Sequence, residues 1–162
     1  MMKKTVTLTT PSDCEITVTR EFDAPRQLVW EAHTKPELLK RWAAGPPGWE
    51  MTVCEMDFRV GGSWRWVLRG PGNAEMHLRG VHTEIVAGER MTRTEVFEPA
   101  WYNGEAITTM VLKEHAGKTT LTFTITHISK EVRDAALKFP MADGMAAGYD
   151  KLDELLLHSI AT

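Results

Sequence analysis

The chain has 162 residues, 43% hydrophobic and 25% charged, with a formal net charge of -3, which suits one soluble domain with a substantial core. No run nears the ~18 consecutive apolar residues of a membrane span. The start, Met1-Met2-Lys3-Lys4-Thr5-Val6, lacks the apolar stretch of a secretory signal, so cytoplasmic residence is expected. Scattered Lys and Arg in a mildly acidic chain argue against nucleic acid as a partner. Cys14 and Cys54 show neither metal-ligand spacing nor a disulfide framework.

Cys14 to Phe22 alternates as a first strand. Asp23-Ala24-Pro25 predicts a helix start with Asp23 as N-cap, and Leu28, Val29, Ala32 and His33 recur at helical spacing to about Thr34. Thr34 is expected to cap a second helix, with Glu37 closing a capping box and Leu38, Leu39 and Trp42 as the apolar face. After the Gly/Pro-rich loop Ala43 to Gly48, strands are predicted at Trp49 to Phe58 and Ser63 to Arg69, joined by the tight turn Val60-Gly61-Gly62. In the second of these, Trp64, Trp66 and Leu68 face one way. Further strands run over Glu75 to Val86, Met91 to Phe97, Glu105 to Glu114 and Lys118 to Ile128. Ser129 can cap a helix, and beyond Pro140 a long one runs from about Met141 to His158.

The order implies an α+β domain over 1–162, with 1–13 as an N-terminal extension. About six to seven antiparallel strands would curve around the last helix, whose stripe is Met145, Tyr149, Leu152, Leu155 and Leu156.

Strict alternation from Thr120 to His127 puts His127 on the same face as Leu121, Phe123 and Ile125. His82 shares strand phase with Met76, Leu78 and Gly80, and His33 follows Val29 by one helical turn. Burial keeps an imidazole neutral at pH 7, fit for a general base or a ligand contact. No short ligand spacing supports a metal, and none is expected; no cofactor is expected either. Gly144 and Gly148 lie on one face of the long helix, which suggests close approach of either the sheet or a ligand.

Arg20-Glu21-Phe22-Asp23-Ala24-Pro25, Val29-Trp30-Glu31-Ala32, Pro36-Glu37-Leu38 and Arg41-Trp42 resemble the opening of the START-like (SRPBCC) superfamily. Asp57-Phe58-Arg59-Val60-Gly61-Gly62-Ser63-Trp64 is similar to the branch of the activator of heat-shock-protein-90 ATPase and its homologues. Gly80, Glu84-Ile85-Val86, Glu89-Arg90, Gly144-Met145-Ala146 and Tyr149 to Leu152 continue the likeness. The resemblance implies the helix-grip fold, with a cavity between sheet and helix that takes apolar ligands. The chain departs from the branch's pattern at His33, His82 and His127, where aromatics are expected. It departs again at Ala43 and Ala44, where a bulky residue is common, and at Gly148, where Ser is more usual.

The first expectation is therefore binding of a small hydrophobic or aromatic molecule. Its walls would be Trp64, Trp66, Leu68, Met76, Leu78, Met110, Phe123 and Ile125, roofed by Met145, Gly148, Tyr149 and Leu152. His82 and His127 would supply polar contacts. The alternative is an enzyme, natural or redesigned, with His127, His82 and His33 as catalytic candidates. A third reading is a co-chaperone-like interaction domain. Homodimerisation is left open.

Overall fold

The computed structural model describes residues 6–45, 47–99, 104–139 and 141–161. Eight antiparallel strands form one sheet: β1 (Thr7–Thr9), β2 (Glu15–Phe22), β3 (Glu50–Met56), β4 (Ser63–Arg69), β5 (Glu75–Val86), β6 (Arg90–Glu98), β7 (Ala106–His115) and β8 (Lys118–Thr126). Their order is β1-β2-β8-β7-β6-β5-β4-β3, so β3 to β8 form a meander and β2 returns beside β8. Two short helices, α1 (Arg26–Thr34) and α2 (Pro36–Trp42), leave β2, and α3 (Lys130–Leu137) and the long α4 (Met141–Ala161) close the chain. Among the described residues, no helix is long and apolar enough to cross a membrane.

The sheet has one strand more than the highest number expected. Thr7–Thr9, inside the stretch read as an N-terminal extension, pairs with Thr17–Thr19 of β2. The helix starts also differ from expectation. Pro25, not Asp23, occupies the N-cap of α1, and no side chain caps it. Thr34 is still in the last turn of α1, so its hydroxyl donates to the Trp30 carbonyl at 2.9 Å and does not cap α2. Ser129 does cap α3, accepting from the Val132 amide at 3.1 Å. The β7–β8 hairpin turns through Ala116 and Gly117, both at positive φ (53° and 78°), the twist that a two-residue hairpin loop needs.

The inner face of the sheet meets α4 in one large apolar cluster. Val18, Phe22, Met110, Leu112 and Leu121 from the strands pack with Tyr149, Leu152 and Leu156 of the helix and with Val29, Leu39 and Trp42 of α1 and α2. Arg20 lies on the inner side of β2 and is almost wholly buried. Its guanidinium reaches Asp150 at 3.2 Å and also Asp153, tying the helix to the sheet by charge. Trp42 anchors the two short helices: its indole N–H donates to the Ala32 carbonyl at 2.9 Å, and its ring stacks on Tyr149.

Two glycines in this frame predict opposite outcomes. A Cβ on Gly80 would run into the Thr94 carbonyl and the Trp64 indole, whereas one on Gly144 meets nothing within 4 Å. Gly80→Ala should therefore lose at least about 2 kcal/mol of stability. Gly144→Ala should gain up to about 1 kcal/mol from helix propensity. Urea denaturation of both variants checks the pair.

Candidate functional site

The polar centre of the inner face lies on β4, β5 and β6. Alternation along β6 aims Met91, Arg93, Glu95 and Phe97 at the core, which leaves a guanidinium where water is excluded. Arg93 is 6% exposed. Its Cζ sits 4.2 Å from the ring centroid of Trp64 and 4.8 Å from that of Trp66, so two indole faces hold the cation. Burial pulls its pKa down to about 10, opposed by the nearby Glu95 carboxylate, so the group stays charged at neutral pH. The Trp64 indole N–H is fixed on the Thr94 carbonyl at 3.1 Å, and this bond requires the bare Cα of Gly80 opposite Trp64.

His82 faces Arg93 across the β5–β6 ladder, one residue before a bulge at Thr83. Its backbone is held from the other side: the His82 amide donates to the Gly62 carbonyl at 2.9 Å, and the Gly61 amide donates to the His82 carbonyl at 2.8 Å. The turn Val60-Gly61-Gly62 thus pins the histidine in place. Its ring meets Phe58 edge-on at 5.2 Å and is 0% exposed. Burial, helped by Arg93, lowers its pKa to about 4, so the imidazole is neutral at pH 7. Among the described residues, neither His82 ring nitrogen, nor the buried Trp66 Nε1, nor Arg93 Nη1 has a hydrogen-bond partner.

His33 is settled differently. Its Nδ1–H donates to the Val29 carbonyl at 2.8 Å, and its ring lies edge-on to Trp42 at 4.8 Å. Burial lowers its pKa to about 4. Cys54, on the inner side of β3, has its thiol pKa raised mainly by burial, which disfavours the thiolate.

The family described as activator of Hsp90 ATPase homolog 1-like protein matches residues 23–157. The chain belongs to it. Solved structures show the same helix-grip fold. A Rhodobacter sphaeroides protein is 28% identical, with 95% of this chain and 99% of that one covered and a TM-score of 0.90. A Mycobacterium smegmatis protein is 25% identical, with 95% and 99% covered and a TM-score of 0.83. An Arthrobacter aurescens protein, 24% identical with 94% and 91% covered and a TM-score of 0.82, shares the fold. No curated protein matches the chain.

Within this family member the predicted site residues divide. Trp64, Leu68 and Leu78 form a cluster with Met51, against which Trp66 and Met76 pack. Met110, Tyr149 and Leu152 are in the main core with Phe123 and Met145 against it; Ile125 belongs to a smaller cluster with Ile16, Ala106 and Ala136. Gly148 is buried 3.5 Å (by its ideal Cβ) from the Trp42 carbonyl, an ordinary contact. The three histidines fall into two groups. Arg93 acts on both His33 and His82, whereas the charge that depresses His127, besides burial, is Arg133 of α3. His127 lies just past β8, with its amide on the Cys14 carbonyl at 2.8 Å. Among the described residues no three His, Cys, Asp or Glu side chains group as a metal set.

Arg93 is the residue that sequence reading missed. The signal was present: Met91 and Phe97 mark the inner phase of β6, and Arg93 shares it.

Depressed histidine pKa values set a pH dependence. In the unfolded chain His33 and His82 take protons near pH 6.5, but in the folded one only near 4. Stability is full above 6.5 and falls as pH drops towards 4, by up to about 3 kcal/mol for each group. Denaturation at pH 7 and pH 5 should show this decline, and His82→Phe should shrink it by about 1–2 kcal/mol. An unchanged decline in that variant would contradict the assignment.

Proposed function

We propose that the chain binds a small hydrophobic or aromatic molecule between the inner face of its sheet and the C-terminal helix. The observation that carries this reading is the set of unpartnered polar atoms on His82, Trp66 and Arg93, buried among aromatic side chains. Buried polar groups in folded proteins are almost always hydrogen-bonded, and a ligand supplies the missing partners. The apolar surroundings, Trp64, Phe58, Met56 and Met145, suit the rest of such a molecule.

The catalytic alternative draws less support. A base needs an orienting partner on its second nitrogen; among the described residues His82 has none, and although the Val29 carbonyl orients His33, that ring is buried against Trp42. For a docking role, the exposed large apolar side chains among the described residues, Val60, Val81, Ile107, Ile128, Phe139 and Leu157, are spread along the chain from the β3–β4 turn to α4.

Titration with the uncharged fluorescent probe N-phenyl-1-naphthylamine tests the reading. Saturable emission at one probe per chain, with a raised denaturation midpoint, is expected. Emission that rises linearly without saturation would contradict it.

A further inference from the structure

The missing partners in this cluster have a common chemistry. Trp66 Nε1 is a donor only, and so is Arg93 Nη1. His82, neutral at pH 7, offers one N–H and one lone pair. Three donor nitrogens from three adjacent strands therefore lack acceptors among the described residues, on one face of the sheet. They are near neighbours: the Arg93 guanidinium lies over the Trp66 ring at 4.8 Å, and His82 is its cross-strand partner.

We propose that Arg93, Trp66 and His82 form a carboxylate-binding subsite, and that the ligand is an aromatic carboxylic acid in its ionised form. The inference rests on the binding role proposed above and gives it a substrate class. An acceptor lone pair is required because a donor hydrogen cannot satisfy Trp66 and Arg93. An anion is favoured over a neutral carbonyl because the guanidinium is cationic and shut away from water, where a charge-assisted bond is strongest. The other groups around it are the Glu95 carboxylate on the same strand, the neutral His33, the thiol of Cys54 and the distant, exposed Asp57. Glu95 is the one that opposes an anion, and it sets which control matters most.

The indole faces of Trp64 and Trp66 already clamp the cation. The guanidinium is thus held in position before a ligand arrives, which limits the ordering cost of binding. The same arrangement accounts for an imidazole at position 82, where the family resemblance leads one to expect an aromatic ring. An imidazole keeps the flat shape against Phe58 and adds a donor beside Arg93.

The test compares 2-naphthoate, 2-ethylnaphthalene and 2-naphthylmethylammonium by displacement of N-phenyl-1-naphthylamine. The native protein should prefer naphthoate over both others by at least tenfold, the size expected of about 1.5 kcal/mol from charge-assisted bonds. Arg93→Met should lose at least tenfold in naphthoate affinity and with it the preference for naphthoate over 2-ethylnaphthalene. Trp66→Phe, which removes the indole N–H and keeps an aromatic face, should weaken naphthoate alone by threefold or more. It also decides the matter if Arg93→Met does not unfold cooperatively. Equal affinities for naphthoate and ethylnaphthalene would overturn the subsite and leave the binding role standing. Tighter binding of the ammonium compound would overturn it in favour of Glu95. Displacement by none of the three, with no saturable probe binding, would overturn both.

Discussion

A guanidinium buried on the inner face of the sheet dictates the arrangement around it. Arg93 cannot be solvated, so its charge is spread over the faces of Trp64 and Trp66 and offset by Glu95. To hold its ring there, Trp64 hydrogen-bonds the Thr94 carbonyl, and that bond in turn forbids a side chain at Gly80. Burial first, and the nearby cation second, keep the imidazoles of His82 and His33 neutral.

A second buried cation on the inner face is tied to carboxylates of the long helix. Arg20 is as deeply placed as Arg93, but it meets Asp150 and Asp153 of the long helix and serves to hold that helix on the sheet. The two arginines thus divide the interior. At Arg20 two carboxylates take Nη1 and Nη2, Nε has no partner among the described residues, and Leu152, Phe22 and Leu121 belong to the surrounding apolar cluster. At Arg93 the donors left over come from three residues on adjacent strands.

Much of this was legible in the sequence, for particular reasons. Alternation in Thr120–Thr126 and Ser63–Arg69 gives strands whose inner residues are the observed ones, and the stripe Tyr149, Leu152, Leu155, Leu156 gives the gripping helix. The short β1 was hidden because three threonine-flanked residues carry no periodicity long enough to register. The helix caps at Asp23 and Thr34 were misplaced because a proline at 25 and an i−4 bond from Thr34 compete with them. At the site, His82 stood out as a titratable residue on an apolar phase. Arg93 did not, because a charged residue mid-strand is ordinarily assigned to the wet face. That His127 and His82 answer to different arginines is a matter of tertiary placement, which spacing along a chain does not carry.

The central claim is that Trp66 offers an indole N–H to an acceptor on a bound aromatic acid. The most direct measurement is the ¹H–¹⁵N resonance of Trp66 Nε1, assigned by its loss in Trp66→Phe. Adding 2-naphthoate should move that resonance downfield as a hydrogen bond forms, and 2-ethylnaphthalene should leave out the downfield shift. A Trp66 signal that responds identically to both, or to neither, would contradict the account.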